Sequence, residues 1–241
     1  MDANKFSYKL CLVDSSLRSL SFLGSGFPIT PNGGILTCRH VVDVAYDSEK
    51  QSIALFDNEL ERFTPVHQII YPDNEHLDLA YLPNGLSRQK EHFFPILTPE
   101  ELMIGEDVYS FGHYSAEESS EKMTFGYFKG HIVAFFKNPL KGFSPTITLS
   151  YPVIEGLSGS PVLTYHNGPK LVGVCYGSQA QRIMASEIIE YKDTQKEYKE
   201  TINRIVEFGL AHHPSVIIDF LTSKGITGFV VSTDTIKMNG F

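Results

Sequence analysis

The segment 156–161 (GLSGSP) is the sharpest chemical feature of this 241-residue sequence. Glycines on both sides of Ser158 allow a tight turn that exposes the hydroxyl and directs backbone N–H groups toward one point. An acyl-transfer nucleophile and its oxyanion hole need this arrangement. Because short motifs recur by chance, the segment alone is equally well explained as a turn between two strands.

Two further residues have the types that would activate such a serine. His40 stands at the end of an apolar run, 35–42 (ILTCRHVV), and Asp78 is followed by a second apolar run, 79–82 (LAYL). A histidine can act as general base toward a serine, and a carboxylate can orient the imidazole. The alternative for His40 is a buried, hydrogen-bonded histidine with no chemical role.

Four motifs occur in a fixed order along the chain: 24–27 (GSGF), 35–42, 77–82 (LDLAYL) and 156–161. In this order and at these spacings they resemble the trypsin/chymotrypsin clan of serine peptidases, specifically its HtrA/Deg-like bacterial branch. The resemblance extends from about residue 20 to about residue 225. It implies an all-β fold of two six-stranded antiparallel β-barrels with a cleft between them and a C-terminal helix.

The resemblance also implies a role for each motif residue. Ser158 would be the nucleophile, His40 would take and return its proton, and Asp78 would fix the imidazole tautomer. The backbone N–H groups of Gly156 and Ser158 would bind the oxyanion. No metal, nucleotide or other cofactor is expected, and the rate should rise between about pH 6 and 8 as His40 loses its proton.

The residue before the nucleophile departs from the family pattern. Leu157 stands where the digestive enzymes have an aspartate that receives a newly cut N-terminal amine, and where the HtrA/Deg branch commonly has asparagine. Leucine cannot accept an ammonium group, so activation by N-terminal cleavage is not expected. How the Gly156 peptide is held is therefore an open question for the structure.

The predicted organisation is a single peptidase domain spanning 1–241. Short apolar and β-branched runs separated by turn residues predict an N-terminal barrel over 8–100 and a C-terminal barrel over 105–212. A helix is predicted over 214–224 because apolar residues recur on one face between Pro214 and Gly225. Only 16 residues follow Gly225, so a PDZ domain is not expected in this chain.

The segment 179–204 differs from its surroundings because charged residues alternate with apolar and aromatic ones. It is long for a loop inside a compact β-domain, so we expect it to be partly helical, mobile or functional. Docking of a regulatory protein partner and a solvated hairpin are two interpretations that stay open.

The primary specificity pocket is predicted from the resemblance of 171–178 (LVGVCYGS) to the strand on which the family lays its substrate. The predicted substrate-binding residues are Pro152, Ile154, Glu155, Cys175, Tyr176 and Gly177. Pro152 lies six positions before the nucleophile, where a trypsin-like pocket has aspartate. We therefore expect cleavage after small or medium apolar residues. If Glu155 lines the pocket instead, basic residues would be preferred.

Composition limits the other classes of function. The chain has 20 Lys and Arg against 28 Asp and Glu, a net charge of -8, and no basic cluster, which argues against a nucleic-acid partner. No apolar stretch is long enough to span a membrane, and the N-terminus lacks a signal-peptide core. The three cysteines form no CxxC pair, so we expect reduced thiols, no metal site and a cytoplasmic location.

The leading hypothesis is thus a bacterial-type serine endopeptidase that acts on a protein or peptide substrate, with activity regulated by a partner or by ordering of a loop. The competing hypothesis is a catalytically silent protease-fold module that binds peptides or serves as a scaffold. A third is an esterase-like acyl hydrolase using the same site. Fold alone does not separate them.

Overall fold

The computed structural model describes residues 3–45, 47–58, 60–83, 93–115, 123–165, 168–192 and 196–232, with the backbone alone at residues 4, 188–192 and 196–200. Most of its regular structure is β-strand, with three short 3-10 turns (Ala3–Phe6, Pro99–Glu101 and Pro139–Lys141) and two α-helices. In this part of the chain, no helix combines the length and the apolar character that crossing a membrane requires.

The first half of the chain forms a six-stranded sheet. Its elements are β1 (Tyr8–Asp14), β2 (Ser19–Pro28), β3 (Ile35–Thr37), α1 (Arg39–Val42), β4 (Gln51–Asp57), β5 (Arg62–Pro65) and β6 (Ala80–Leu82). The strand order is β5-β4-β1-β2-β3-β6, and every neighbouring pair is antiparallel. Two register shifts between β1 and β2 bend this sheet, because bulges increase local twist.

The second half forms an eight-stranded sheet. Its strands are β7 (Ile96–Leu97), β8 (Asp107–Ser115), β9 (Met123–Asn138), β10 (Ser144–Leu149), β11 (Pro161–Tyr165), β12 (Pro169–Lys192), β13 (Lys196–His212) and β14 (Val231–Ser232). Six of them follow the order β11-β8-β9-β10-β13-β12, and a β11–β12 pairing closes the ring. The predicted all-β fold with two barrel-like halves is confirmed. The second sheet exceeds the predicted six strands because β7 and β14 add to it in parallel.

One apolar core joins the two halves. Phe94, which lies between them in sequence, is 2% exposed, and its ring centroid lies 6.3 Å from that of Phe27 in β2 and 6.0 Å from that of Phe111 in β8. Burying a side chain of this size contributes about 2 to 3 kcal/mol. Because one continuous core includes residues of both sheets, the halves pack in a defined relation, and residues from both can build one site.

The helix α2 (Pro214–Ser223) packs on this core after β13. His213 caps its first turn, since its Nδ1 accepts a hydrogen bond from the Ser215 amide, and Pro214 stands in the first turn. The apolar face points inward, and its buried members are Val216, Ile217, Phe220 and Leu221. The helix ends at Ser223, one residue before the predicted end.

The expectation of a partly helical segment over 179–204 is wrong. Strands β12 and β13 continue past the barrel as a two-stranded antiparallel ribbon, paired from Val174↔His212 to Lys192↔Lys196. The described side chains over 179–187 and 201–204 are exposed, including Ile183, Met184 and Ile202. Alternating charged and apolar residues suit a ribbon whose two faces both meet water, and the cross-strand pairing overrides the weak helical pattern.

Two buried histidines lie in the second half. His113 in β8 is 5% exposed, with Ser7 Oγ 3.4 Å from its Nδ1, and burial lowers its pKa to about 4. His212 at the end of β13 is fully buried, and burial lowers its pKa to about 4 as well. Both side chains are therefore neutral in the folded protein at pH 7.

We expect the free energy of unfolding to fall as the pH drops from 6.5 to about 4. In this window the unfolded chain accepts protons on His113 and His212 while the folded chain does not, so acid favours unfolding. Each histidine accounts for up to about 3 kcal/mol. Urea unfolding between pH 7 and 4.5 measures the slope of the free energy of unfolding against pH. His113→Gln should reduce it, and His131→Gln, at an exposed position, should not. A slope that His113→Gln leaves unchanged would contradict this assignment.

Candidate active site

His40 and Asp78 form a hydrogen-bonded pair at one end of the first sheet. Strands β3 and β6 are antiparallel neighbours with Thr37 opposite Ala80, so the residues just after β3 and just before β6 lie side by side. His40 Nδ1 lies 2.8 Å from Asp78 Oδ2, and the His40 backbone N–H donates to Oδ1 at 2.9 Å. The carboxylate therefore fixes both the position and the Nδ1–H tautomer of the imidazole.

Asp78 is a buried carboxylate, whereas its partner is open to solvent. The side chain of Asp78 is 5% exposed and that of His40 is 46% exposed. Burial alone would raise the pKa of Asp78, but hydrogen bonds and positive charge from His40 and Lys141 outweigh it and hold that pKa well below its usual range. Asp78 is thus ionised at every pH at which the protein is expected to work.

A second histidine supports the Asp78 backbone. His212 Nε2 lies 3.0 Å from the Asp78 carbonyl oxygen, so Nε2 carries the proton and donates. Its Nδ1 is buried and has no hydrogen-bond partner among the described residues. The sequence placed His212 and His213 at a junction between strand and helix, which is where they lie, but it gave no sign of the contact with Asp78.

The Ser158 turn is held by its own hydrogen bonds and by a buried leucine. The Leu157 amide donates to the Ile154 carbonyl at 3.0 Å, and the Ser160 amide donates to the Leu157 carbonyl at 2.9 Å. Leu157 is fully buried in the core of the second barrel. Gly156 adopts φ +96°, a conformation that favours glycine. Burial of the apolar Leu157 side chain thus anchors the turn at the position where the digestive enzymes have an aspartate.

Ser25 of β2 ties this turn to the first half. Its amide donates to the Ser158 carbonyl at 2.8 Å, and its Oγ donates to the Gly156 carbonyl at 2.9 Å. The Ser25 carbonyl in turn accepts from Thr37 Oγ1 at 2.7 Å, next to α1. Ser25 is fully buried, so these bonds are shielded from water. This answers how the Gly156 peptide is held.

The turn and α1 meet at Gly24. A Cβ on Gly24 would lie 2.7 Å from Val41 Cγ2 and 3.0 Å from the Ser158 carbonyl oxygen, so only glycine permits this approach. Val41 directly follows His40 in α1. The structure therefore brings His40, Asp78 and Ser158 to one region at the junction of the two halves.

Two backbone amides of the turn lack a hydrogen-bond acceptor among the described residues. Within the part of the chain that the structure describes, the N–H groups of Gly156 and Ser158 make no hydrogen bond, whereas Gly159 donates to the Cys175 carbonyl at 2.8 Å. The Ser158 side chain is partly exposed beside them. Two amides flanking an accessible hydroxyl can stabilise a negative oxygen formed when that hydroxyl attacks a carbonyl.

The predicted pocket residues fall into two groups. Pro152 and Ile154 are half-buried and Glu155 is exposed, whereas Cys175 is fully buried and belongs to the second barrel's core. Gly177 has open space where a Cβ would lie. The structure thus places Cys175 in the core and not on the wall of an open pocket.

Tyr176 also turns inward. A register shift between Cys175 and Gly177 in the β12–β13 pairing leaves Tyr176 as an extra residue. Its ring centroid lies 4.5 Å from that of His212, and its hydroxyl accepts from Asn138 Nδ2 at 2.8 Å. With 8% exposure, the side chain packs beside the Asp78 region rather than lining a substrate pocket.

The segment before the nucleophile is tied to the end of the pocket strand. Ser178 Oγ accepts from the Val153 amide at 2.7 Å and donates to the Val153 carbonyl at 3.1 Å. The Val153 side chain is buried. The two predicted pocket walls therefore contact each other through Ser178.

Asp78 and two buried neighbours carry atoms of the kinds that bind metal ions, but their chemistry does not suit a metal site. The ligand atoms of Cys38, Asp78 and His212 lie within 4.8 Å of one another. Both oxygens of Asp78 already accept hydrogen bonds. Burial raises the pKa of the Cys38 thiol well above its ordinary value, and this thiol donates to the Cys175 carbonyl. A metal ion would require the thiolate.

Sequence reasoning missed Lys141, whose Nζ lies 2.8 Å from Asp78 Oδ2. Nothing in the local sequence marks a lysine 63 residues away as a partner of Asp78. Ser25 lies within the GSGF motif, but its hydrogen bond to Gly156 crosses between the halves and has no local signal either.

Solved protease structures, HtrA-type proteases among them, share this fold. A serine-to-alanine variant of AlgW with a decapeptide has a TM-score of 0.61 and 16% identity, covering 95% of this chain and 65% of that chain. AlgW with a decapeptide has a TM-score of 0.58 and 18% identity, covering 92% and 64%. The inactive form of a serine-to-alanine mutant of Rv3671c from M. tuberculosis has a TM-score of 0.58 and 16% identity, covering 95% and 90%.

The chain thus spans just under two thirds of the AlgW chains that it matches. At these identities the likeness shows the fold, which is the chymotrypsin-like architecture that the sequence predicted.

Sequence comparison gives the family directly. The search of curated proteins finds no match. The family model of the trypsin-like peptidase domain matches residues 24–174, more than half of the chain. The matched span begins at the first glycine of the GSGF motif and includes His40, Asp78 and Ser158. The resemblance stated from the motifs is therefore confirmed, and the chain belongs to the family of trypsin-like peptidase domains.

Proposed function

We propose that this protein is a serine endopeptidase in which Ser158, His40 and Asp78 form the catalytic triad. The observation that carries the proposal is the buried Asp78 carboxylate, which holds His40 through both oxygens at 2.8 and 2.9 Å. An imidazole held in this way presents Nε2 as a base, and Ser158 lies in the adjoining turn. The peptides bound in the related AlgW structures support a peptide or protein as substrate.

The reaction follows from these positions. Ser158 Oγ attacks the scissile carbonyl carbon while His40 Nε2 takes the hydroxyl proton, and Asp78 stabilises the resulting imidazolium. The tetrahedral intermediate collapses, the leaving amine takes the proton from His40, and an acyl-enzyme remains on Ser158. Water then attacks this ester by the same proton transfers, releasing the acid and restoring the serine.

The unpartnered amides of Gly156 and Ser158 would hold the oxygen that becomes negative. A donor of this kind stabilises the transition state by roughly 3 to 4 kcal/mol. The turn has to be in place before substrate arrives, and its support comes from buried Leu157 and from Ser25. This support needs no newly formed N-terminus.

We propose that the residue before the cut is small or medium-sized and apolar. Support comes from Pro152, which stands at the position of the trypsin-like aspartate and carries no charge. Glu155 is exposed near the turn and is the residue that would favour a basic side chain instead.

The finer parts of the proposal concern organisation and regulation. We propose that 8–100 and 105–212 act as the two barrels of one domain, and that the ribbon over 179–204 is where a regulatory protein would bind. Its exposed apolar side chains, such as Ile183 and Met184, support this. A cytoplasmic location is also proposed, supported by three cysteines that are free thiols.

Labelling with a serine-reactive fluorophosphonate tests the triad. We expect the wild type to be labelled, Ser158→Ala and His40→Ala to lose labelling, and Asp78→Asn to react about 10⁴-fold more slowly, because the imidazole tautomer is no longer fixed. His76→Ala is a matched control, since this histidine is exposed two residues from Asp78. A folded wild type that is never labelled would favour the silent peptide-binding module.

Ser25→Ala tests whether β2 positions the oxyanion-binding turn. Loss of the hydrogen bond to the Gly156 carbonyl should lower the labelling rate roughly tenfold, the equivalent of one neutral hydrogen bond. Ser21→Ala, at an exposed position of the same strand, should label at the wild-type rate. Equal rates for the two variants would refute the positioning role.

Cleavage of a peptide library tests the pocket. We expect Ala, Val and similar residues before the cut, because Pro152 supplies no carboxylate to pair with a basic side chain. A preference for Lys or Arg that disappears in Glu155→Gln would overturn this prediction and identify Glu155 as a pocket residue. Turnover of esters without any peptide cleavage would instead indicate an acyl hydrolase.

A further inference from the structure

Two nitrogen donors share one oxygen of Asp78. His40 Nδ1 and Lys141 Nζ each lie 2.8 Å from Oδ2. His40 comes from the first half of the molecule, whereas Lys141 ends the 3-10 turn Pro139–Lys141 between β9 and β10 in the second half. The triad mechanism described above requires only the first of these contacts.

The hairpin that carries Lys141 is held by specific hydrogen bonds and by a glycine with positive φ. Asn138 Oδ1 accepts from the Leu140 amide at 3.0 Å, and Asn138 Nδ2 donates to the Tyr176 hydroxyl at 2.8 Å. The turn closes at Gly142 with φ +63°. The Lys141 ammonium lies 5.6 Å from the centroid of the Tyr176 ring, within the range of a cation–π contact. Asn138, Gly142 and Tyr176 thus hold the lysine in a position from which it reaches Asp78.

The other titratable groups around Asp78 are neutral. Burial lowers the pKa of His212 to about 4, and burial raises the pKa values of the Cys38 thiol and the Tyr176 phenol. Among the described residues in contact with the Asp78 carboxylate, Lys141 is therefore the one permanent cation at neutral pH. No other described group in contact with this carboxylate supplies a positive charge of this kind.

Lys141 supplies the third hydrogen bond to the Asp78 carboxylate, beside the two from His40. Its electrostatic effect falls on His40. The negative charge of Asp78 favours the imidazolium, and a second positive charge on the same oxygen offsets part of that preference. The side chains of His40 and Lys141 are both partly solvent-exposed. Water therefore weakens the repulsion between their charges but does not remove it.

We propose that Lys141 is a positioning residue that tunes the basicity of His40 through Asp78. By offsetting part of the carboxylate charge, it keeps the imidazole in its basic form at lower pH and extends the activity of the site toward mild acid. This inference rests on the proposed function for its catalytic meaning. The charge coupling between Lys141, Asp78 and His40 can be measured whether or not the protein cleaves peptides.

The test is a titration of the histidine ring signals by NMR in ¹³C-histidine-labelled protein, with His40→Gln to assign the signal. We expect Lys141→Met to raise the midpoint of the His40 titration by about one pH unit, because a nearby like charge disfavours the imidazolium and its removal shifts the midpoint by this order. Lys141→Arg keeps the charge and should stay within about 0.3 pH units of the wild type. Lys137→Met, at an exposed position of the same hairpin, is the control for a general loss of positive charge.

A midpoint for Lys141→Met equal to that of Lys137→Met would overturn the proposal and leave Lys141 a structural contact. Lys141→Gln serves as the second neutral variant if the methionine variant does not fold. The pH dependence of fluorophosphonate labelling, followed in parallel, should show its acid limb moving to higher pH in the neutral variants only. A His40 shift in a protein that is never labelled would refute the serine peptidase function while supporting the charge coupling.

Discussion

The burial of the Asp78 carboxylate is the constraint on which the arrangement of the site depends. An ionised group removed from water needs compensating donors, and Asp78 collects them from α1 and from the β9–β10 hairpin. His212 at the end of β13 additionally holds its backbone carbonyl. The donors to the carboxylate come from both halves of the molecule, so the halves must pack together before it is fully hydrogen-bonded.

The second link between the halves is Ser25, which holds the Ser158 turn from across the junction. The turn in the second half depends on β2 in the first half for two hydrogen bonds, one to Ser158 and one to Gly156. The buried side chain of Leu157 anchors this turn in the apolar core of the second half. Packing and these hydrogen bonds thus hold the Ser158 turn without any charged partner for Leu157.

Much of the fold could be predicted from the sequence because the four motifs are local and ordered. The glycines of 24–27 and 156–161 mark close approaches, and the pairing of β3 with β6 brings the two motifs carrying His40 and Asp78 together. Contacts that cross between the halves could not be predicted. Neither Lys141 nor His212 carries a local signal for Asp78. The inward turn of Tyr176 depends on a β-bulge, and the ribbon over 179–204 depends on cross-strand pairing that overrides local propensity.

The most direct test of the central claim is a crystal structure of the protein after reaction with a fluorophosphonate. The account predicts phosphorus bonded to Ser158 Oγ, with the phosphonyl oxygen about 2.7 to 3.1 Å from the amide nitrogens of both Gly156 and Ser158. It also predicts that His40 remains hydrogen-bonded to Asp78. A probe attached to a different residue, or a phosphonyl oxygen turned to solvent and away from both amides, would contradict the account.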